Sequence, residues 1–403
     1  MSPKPKLYYA DEGSILKGLV TDIYFLRTEE IVKRSGLGES RVCADVHSYG
    51  LPRGYSWAVF AGLEEAIRLL EGREVNVFAM EEGEIFRPYE PVMEIEGPYS
   101  EFGVYESAIL GALRHESSVA TKAARVRLAT WDKQLVFFGI RCVHPAVAPA
   151  VDRAAFIGGC DAVSGVLGAE MIGERPIGTM PHALIIVFGD QERAWRAFDE
   201  LMPPEVPRIA LCDTFDDERV EALRAAEVLG RRLHAVRLDT PSSRRGNMRA
   251  IVEEVKWTLR VHGYDWVKVF VSGGIDEDDA RELADVVDGF GVGTSIAFPP
   301  SVDLALDIVE VGGKPLSKRG KLPGRKQVYR CDRFHDSVVP VSRVLESCPT
   351  CGGSVRPLLR PLLVDGRLVE PLKPPREIRK EVLRRLQTIR ELNDSLLPPK
   401  ILA

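Results

Sequence analysis

The sequence predicts an α/β protein built on a parallel sheet, which is either open or closed into a barrel. From about residue 116, short apolar runs alternate with amphipathic stretches of helical spacing, a pattern typical of parallel strands joined by helices. A glycine or a polar residue lies at the end of each run, and α/β barrels carry their chemistry at this end of their strands. The runs predicted to be strands are Leu135–Ile140, Ala162–Val166, Arg208–Cys212, His234–Leu238, Val267–Val271 and Phe290–Val292.

Changes in composition along the chain predict five segments. The first mixes strand-like pieces such as Asn76–Met80 and Val92–Ile95 with Gly and Pro turns, and within it Trp57–Leu70 has helical spacing. The segments are a β-rich N-terminal domain (1–115), an α/β barrel with the active site (116–310), a basic connecting segment (311–328), a small zinc-knuckle-like module (329–357) and a C-terminal helical tail (358–403) with an amphipathic helix over 375–394.

Composition excludes several classes of function. The 403 residues suffice for two or three domains, and 45% hydrophobic with 28% charged residues is ordinary for a globular protein. A net charge of −5 argues against a general nucleic-acid binder. We expect no signal peptide and no membrane span, because the chain has neither an apolar N-terminal core nor a long uncharged apolar run. Seven cysteines in a chain of this size do not make a disulfide framework, so a reducing cytoplasm is expected.

The segment Ile177–His182 places a histidine behind a Gly-Thr turn and a proline. We expect the next residues, 182–188, to be helical, with Pro181 at the first helical position and Thr179 as the cap. The imidazole of His182 would then lie at a helix N-terminus, where the dipole disfavours imidazolium and free N–H groups bind phosphate. This arrangement suits a phosphoryl-accepting nucleophile. A loop histidine that caps a neighbouring turn is the alternative.

The other strand ends suggest a phosphorylated sugar as ligand. Two glycine turns, Ser272-Gly273-Gly274 and Gly291-Val292-Gly293-Thr294, allow backbone N–H groups to approach a phosphate. Asp239 could accept hydrogen bonds from a ribose diol, and Arg141 and Arg237 could hold anionic oxygens. Taken one at a time, such residues are more often members of surface ion pairs.

Three cysteines near the C-terminus indicate a zinc site. Cys348 and Cys351 lie in a CxxCGG knuckle, and Cys331 lies upstream with His335 at a C-x₃-H spacing. Four protein ligands would leave no open position, so the predicted role is structural. A degenerate knuckle without metal is the alternative.

Seven segments, in this order, resemble the nicotinate phosphoribosyltransferases, most closely their archaeal-type branch. The resemblance covers nearly the whole chain, and the segments are Thr21–Tyr24, Phe138–Arg141, Gly178–His182, Asp213–Asp216, Arg237–Thr240, Ser272–Asp276 and Gly291–Thr294. The resemblance implies a type II phosphoribosyltransferase-like fold, in which a β-rich N-terminal domain packs on an irregular α/β barrel. It also implies a homodimer or higher homo-oligomer with shared active sites. That branch usually has paired cysteines on both arms of a knuckle module, whereas this chain has Phe334 and His335 where a second cysteine is expected.

The resemblance also implies roles for individual residues. Phe138 and the partner subunit's Tyr24 would sandwich a pyridine ring, and His182 would be phosphorylated by ATP. His182, Arg141 and Asp239 are the predicted catalytic residues. The predicted substrate-binding residues are Tyr24, Phe138, Arg141, Asp161, Ser164, Thr179, Asp213, Arg237, Asp239, Ser272, Gly273, Gly274, Gly293 and Thr294.

The implied reaction joins nicotinate to phosphoribosyl pyrophosphate and yields nicotinate mononucleotide, an intermediate in NAD biosynthesis. Mg²⁺ would offset the charge on the leaving pyrophosphate, and ATP hydrolysis would drive product formation through phosphorylated His182. The basic run Lys314–Lys326 resembles a family segment from which a lysine would reach pyrophosphate.

Asp161 leaves the choice between acid and amide open. It falls where related nicotinamide-using enzymes carry an aspartate, and a carboxylate accepts from an amide but repels another carboxylate. Alternatively, Asp161 pairs with a nearby arginine. The first competing function is therefore a nicotinamide phosphoribosyltransferase. The others are a quinolinate phosphoribosyltransferase and a non-catalytic nucleotide-binding scaffold.

Overall fold

The computed structural model describes residues 6–241, 243–244, 246–394 and 396–402. The chain forms two compact units. The terminal unit comprises Met1–Thr121 and Pro300–Ala403, and the central unit comprises Lys122–Pro299. Within the described residues, every helix is too short or too polar to span a bilayer.

Helices occur in both units, and one of them runs across the boundary between the units. In chain order they are α1 (Glu12–Leu16), α2 (Ile23–Arg34), α3 (Leu63–Leu70), α4 (Tyr99–Phe102), α5 (Glu106–Thr130), α6 (Ala148–Ile157), α7 (Val166–Met171), α8 (His182–Phe188), α9 (Gln191–Leu201), α10 (Glu218–Leu229), α11 (Met248–Val261), α12 (Glu277–Leu283), α13 (Thr294–Ala297) and α14 (Pro375–Glu391). Short 3₁₀ turns cover Gly103–Tyr105, Ile140–Cys142 and Gly230–Arg232.

The strands are mostly short. In chain order they are β1 (Arg41–His47), β2 (Ala58–Val59), β3 (Asn76–Ala79), β4 (Ile85–Phe86), β5 (Pro91–Pro98), β6 (Gln134–Phe137), β7 (Ala162–Val163), β8 (Arg208–Leu211), β9 (Leu233–Leu238), β10 (Lys268–Val271), β11 (Gly289–Val292), β12 (Ala305–Val311), β13 (Lys314–Pro315), β14 (Lys326–Cys331), β15 (Asp336–Pro340), β16 (Val355–Pro357), β17 (Arg360–Val364), β18 (Arg367–Leu368) and β19 (Lys400–Ile401).

The central unit contains the predicted parallel sheet. Its strand order is β7-β6-β11-β10-β9-β8, and every pairing is parallel. Each of the six predicted runs overlaps one of these strands, so the prediction of an α/β fold is confirmed. In the described part of the chain, β7 and β8 are the free edges, which makes the sheet a half-barrel. Its strands are apolar because helices cover a parallel sheet, and Phe137, Trp195 and Phe290 are buried in this unit.

Helix α8 covers the segment that we predicted to be helical, but its cap differs from the prediction. Pro181 occupies the N-cap position and His182 is the first helical residue. Thr179 is therefore not the cap, since its side chain turns towards Arg237 instead. The helix ends at Gly189, whose φ of 65° is left-handed.

The terminal unit is built on an antiparallel sheet of order β13-β12-β1-β5-β3-β17-β18. A second sheet has the order β16-β14-β15-β19, and β2 pairs with β4. The predicted strands near residues 76 and 92 are confirmed as β3 and β5. Residues 305–311 form β12, which pairs with β1, although the sequence placed them in the barrel.

Two local predictions in this unit were wrong in part. Segment 358–403 is not simply a helical tail, because β17 pairs with β3 before α14 begins. The stretch from Trp57 starts as strand β2, and helix begins only at Leu63. Gly62 causes the delay with a φ of 87°, and a Cβ there would lie 2.7 Å from the carbonyl oxygen of Ala112.

Buried ion pairs fasten the second sheet of the terminal unit. Arg330 Nη1 lies 2.7 Å from Glu84, and its Nε donates to Asp336 at 2.8 Å. Arg385 from α14 lies 2.9 Å from the same Glu84 carboxylate. Burial alone would raise the pKa of Glu84, but these arginines outweigh burial and lower it to about 2. The charges are therefore retained because each has a partner.

Arg127, near the C-terminal end of α5, anchors the N-terminal edge of the parallel sheet. Its guanidinium donates to the carbonyls of Gly159 (2.9 Å), Trp131 (2.8 Å) and Lys133 (2.8 Å). Its Nη2 donates to Asp161 at 2.6 Å. One buried side chain thus satisfies three loop carbonyls and one carboxylate.

Replacing Arg127 with Met should therefore lower the free energy of unfolding by about 2–4 kcal/mol, because the carbonyls and Asp161 lose their donor. Urea denaturation measures this change. The exposed Arg260→Met is the control, with an expected change below about 0.5 kcal/mol. Equal stability of the two variants would contradict the proposed anchoring role.

Candidate active site

The loops at the C-terminal edge of the parallel sheet contribute polar residues, a glycine and a phenylalanine. Because the strands are parallel, their carboxyl ends lie along one edge. The residues that follow the strand ends, in sheet order from β7 to β8, are Ser164, Phe138, Gly293, Ser272, Asp239 and Asp213. The structure therefore brings most of the predicted site residues to one edge of the central unit.

His182 lies between two of these carboxylates. Its Nε2 is 3.1 Å from Asp213 Oδ1, and its Nδ1 is 4.0 Å from Asp239 Oδ2. The imidazole is 37% exposed, whereas the Asp213 side chain is only 3% exposed. The ring is thus accessible to a ligand while its carboxylate partner is buried.

The protonation of Asp213 decides the direction of this hydrogen bond. Burial raises the pKa of Asp213 to about 6, although the contact with His182 opposes the rise. At neutral pH the carboxylate is ionised and only accepts, so His182 Nε2 donates. In a neutral ring, the lone pair then lies on Nδ1, on the side of Asp239. The loop-histidine alternative is wrong, because His182 is helical and contacts a carboxylate.

Asp239 is held from two further sides. Ser272 Oγ donates to Asp239 Oδ1, and Arg237 Nη2 lies 3.6 Å from Oδ2. Arg237 also donates to Thr179 Oγ1. Burial lowers the pKa of Arg237, and the nearby charge of Arg141 adds to this effect. Two arginines therefore concentrate positive charge beside the carboxylates.

Phe138 provides a flat apolar surface at the same edge. A Cβ on Gly291 would lie 2.4 Å from two carbons of the Phe138 ring, so only glycine lets the ring lie against the strand. The guanidinium carbon of Arg237 is 5.9 Å from the ring centroid. An aromatic face beside a cation suits a flat anionic ring as ligand.

The first of the two glycine turns has a left-handed backbone. Gly273 has a φ of 84° and Gly274 a φ of 75°. A Cβ on Gly273 would lie 2.6 Å from the carbonyl oxygen of Asp239. At the other turn, Thr294 begins α13, and its Oγ1 lies 3.4 Å from the sulfur of Cys142 in the 3₁₀ turn that carries Arg141.

The structure does not bring Asp161, which was predicted to bind substrate, to this edge. It precedes β7 and lies at the N-terminal edge of the sheet, where it pairs with Arg127 and accepts from the backbone N–H of Leu135 at 2.8 Å. This is the arginine pairing that the sequence left open. Ser164, three residues further on, does lie at the C-terminal edge, and its N–H donates to Phe137.

Two predicted residues belong to the terminal unit. Tyr24 lies on α2 and is 55% exposed. In the basic run, Lys321 contacts Asp307 at 2.8 Å and lies 3.4 Å from the ring centroid of Tyr49, so this lysine has partners within its own unit.

The sequence analysis missed a buried glutamate, Glu221, which accepts hydrogen bonds from the loop after Asp213. Helix α10 contains two further glutamates, Glu218 and Glu227. No local sequence signal separates Glu221 from them, since its partners are backbone groups.

The predicted zinc ligands do come together in the terminal unit. The ligand atoms of Cys331, His335, Cys348 and Cys351 all lie within 4.8 Å of one another. The sulfurs of Cys331 and Cys351 are 3.8 Å apart, and His335 Nδ1 is 3.9 Å from the sulfur of Cys348. Tetrahedral zinc with Zn–S distances of about 2.3 Å requires sulfurs about 3.8 Å apart. The donor set therefore fits a zinc ion.

Comparison with known proteins agrees with this architecture. Residues 22–117 match the family described as quinolinate phosphoribosyl transferase, N-terminal domain, and residues 119–307 match its C-terminal domain. A nicotinate phosphoribosyltransferase from Mycobacterium tuberculosis is 31% identical over 328 residues, which cover 77% of this chain and 68% of that protein.

Two solved structures are similar over nearly the whole chain. A nicotinate-nucleotide pyrophosphorylase from Pyrococcus furiosus superposes with a TM-score of 0.94 and 57% identity, covering 96% of this chain and 99% of the other. Human nicotinic acid phosphoribosyltransferase has a TM-score of 0.76 at 21% identity, covers 95% and 97%, and shows the fold alone.

The half-barrel, the site at its C-terminal edge and these matches define a phosphoribosyltransferase of the type II fold. Within this class, the chain belongs to the nicotinate phosphoribosyltransferase family.

Replacing Gly291 with Ala should displace the Phe138 ring and lower the rate of phosphoribosyl transfer by about tenfold, because the added Cβ overlaps the ring. Steady-state kinetics measure the loss. The control is Gly111→Ala, at an exposed helical position where a Cβ meets nothing within 4 Å. Full activity in Gly291→Ala would show that the ring position is unimportant.

Proposed function

We propose that this enzyme is a nicotinate phosphoribosyltransferase, which converts nicotinate and phosphoribosyl pyrophosphate into nicotinate mononucleotide and pyrophosphate for NAD biosynthesis or salvage. ATP hydrolysis through phosphorylated His182 drives the reaction. The observation that carries the proposal is the imidazole of His182, exposed at the C-terminal edge and hydrogen-bonded through Nε2 to buried Asp213.

The phosphoryl step uses the free lone pair of the imidazole. His182 Nδ1 attacks the γ-phosphorus of ATP, the bond to the bridging oxygen breaks, and ADP leaves. The ionised Asp213 carboxylate stabilises the positive charge that the ring gains. Water later takes the phosphoryl group as inorganic phosphate and restores the histidine. Asp213 and Asp239 also offer the oxygen ligands that Mg²⁺ prefers, and this ion would neutralise polyphosphate charge.

The transfer step forms a bond from the pyridine nitrogen to C1 of the ribose and breaks the bond from C1 to pyrophosphate. Phe138 stacks on the pyridine ring, and Asp239 accepts from the ribose hydroxyls. The turns at Ser272–Gly274 and Gly293–Thr294 hold the 5′-phosphate. The transition state resembles an oxocarbenium ion, so positioning and electrostatics supply most of the rate.

The charge of the site favours the acid over the amide. Arg141 and Arg237 lie close enough for their charges to interact, and Arg237 approaches the ring of Phe138. A pyridine carboxylate gains from this positive charge, whereas an amide does not. Because Asp161 is paired with Arg127 at the opposite edge, it offers no acceptor for nicotinamide here.

A homodimer or higher homo-oligomer completes the site in this proposal. Helix α2 buries only Phe25, while Ile23, Tyr24 and Leu26 are exposed. An apolar helix face of this kind is typical of an interface. We place the ring of the partner subunit's Tyr24 on the free face of the pyridine. We also propose a cytoplasmic location, because none of the seven cysteines is in a disulfide.

A quinolinate phosphoribosyltransferase is the second candidate, since both matched family descriptions name quinolinate. That reaction also releases carbon dioxide and needs no phosphohistidine. The paired His182 and Asp213 count against it, because quinolinate transfer gives them no task.

The deciding experiment offers nicotinate, nicotinamide and quinolinate in parallel, each with phosphoribosyl pyrophosphate and Mg²⁺, with and without ATP. We expect mononucleotide from nicotinate, with ATP stimulation that is lost in His182→Ala. Product from quinolinate alone would support the second candidate, and product from nicotinamide would reverse the acid assignment. With no product from any substrate, a non-catalytic nucleotide-binding role would replace the proposal.

The cysteine module is proposed to hold one structural Zn²⁺ through Cys331, His335, Cys348 and Cys351. Metal analysis of the purified protein should find one zinc per chain, and removal by a chelator should lower the melting temperature by about 5–10 °C, since binding is coupled to folding. Cys348→Ala should lose the metal, whereas Cys142→Ala should keep it. A wild-type protein without zinc would contradict the assignment.

A further inference from the structure

Glu221 on α10 is a fully buried carboxylate whose hydrogen bonds go to the backbone of a loop. Its Oε1 accepts from the N–H groups of Phe215 (2.7 Å) and Asp216 (2.8 Å), and its Oε2 accepts from that of Thr214 (3.0 Å). These three residues directly follow Asp213. A carboxylate that binds consecutive N–H groups holds their conformation more strongly than a neutral acceptor would.

Besides Glu221, α10 contacts this loop through Arg224, whose Nη1 donates to Asp216 Oδ2 at 3.0 Å. Phe215 and Asp216 are exposed, and these residues lie beyond the end of β8. On its other side, Glu221 contacts Gln191 of α9, whose amide, assigned so that its nitrogen faces Glu221, donates to Oε1 at 3.0 Å. Glu221 is therefore held by α9 and α10, and its hydrogen bonds hold the loop backbone in turn.

The same helix contacts the second loop of the site. Glu218, in the first turn of α10, accepts from the hydroxyl of Thr240 at 2.5 Å. Thr240 directly follows Asp239. One helix thus fastens both loops whose carboxylates flank His182.

We infer that Glu221 is a positioning residue for His182: it fixes the 213–216 loop so that Asp213 holds the imidazole in the reactive tautomer. This inference rests on the proposed phosphorylation of His182. Glu221 is not catalytic, because its bonds go to backbone N–H groups and Gln191 and none reaches His182. A purely structural carboxylate would affect all steps alike, whereas a positioning residue affects the step that depends on Asp213.

The kinetic test compares Glu221→Gln with Asp213→Asn, the double variant, and Glu227→Gln as the control for an exposed glutamate on the same helix. Glu221→Gln and Asp213→Asn should each lower the ATP-stimulated rate by about tenfold, as expected for the loss of a charge-assisted hydrogen bond. In Glu221→Gln the ATP-independent rate should stay within about twofold of the wild-type rate.

The double variant separates positioning from general damage. If Glu221 acts through Asp213, adding Glu221→Gln to Asp213→Asn should cost less than about twofold. Additive losses in the double variant would overturn the inference. So would equal losses of the ATP-stimulated and ATP-independent rates in Glu221→Gln. Should Glu221→Gln fail to fold, Glu221→Asp keeps the charge but shortens the reach, and the same comparison applies.

A second measurement does not depend on activity. In protein labelled with ¹⁵N-histidine, the Nε2 proton of His182, assigned by its loss in His182→Ala, should give a hydrogen-bonded signal in wild type and Glu227→Gln. The signal should be lost in Asp213→Asn and in Glu221→Gln. An unchanged signal in Glu221→Gln overturns the inference. A wild-type enzyme without ATP stimulation would instead refute the proposed function, and the signal alone would then decide the role of Glu221.

Discussion

The parallel pairing of six strands is the constraint on which the site of this protein depends. Strands β6 to β11 lie far apart in the sequence, yet their carboxyl ends share one edge. Each loop therefore needs to contribute only one or two side chains, and the sheet places them side by side. The candidate site lies at the C-terminal edge of the sheet, whereas the pair of Arg127 and Asp161 stabilises the N-terminal edge.

Burying several charged side chains at this edge costs free energy. The hydrogen bonds and ion pairs that offset this cost account for much of the surrounding structure. Asp213 is buried enough for its pKa to rise to about 6, and Arg237 is buried enough for its pKa to fall. Each charged group has a partner from a different loop: Asp213 contacts His182, Arg237 contacts Thr179, and Asp239 contacts Ser272. Carboxylates held this way need little reorganisation when a charged substrate arrives.

The terminal unit uses charge differently. Arg330 precedes Cys331 in the chain, and Asp336 follows His335, so a buried ion pair closes the hairpin that carries two of the four clustered ligands. Glu84 links this hairpin to α14 through Arg385. Two of the four ligand atoms therefore lie on a hairpin that ion pairs hold in place. A metal ion needs to order less of the chain when part of its site is already held in this way.

The sequence by itself determined the elements and the chemistry-bearing residues at the strand ends. The six apolar runs, the helix at His182, the glycine turns and the C-x₃-H and CxxC spacings are local signals, and local patterns encode them directly. What only the tertiary structure decided were the partners. The pairing of Asp161 with Arg127, the contact of Asp213 with His182 and the hold of Glu221 on the backbone join residues that the chain separates. Such contacts depend on where the sheet places each loop and on which charges are buried there. A local sequence pattern contains neither kind of information.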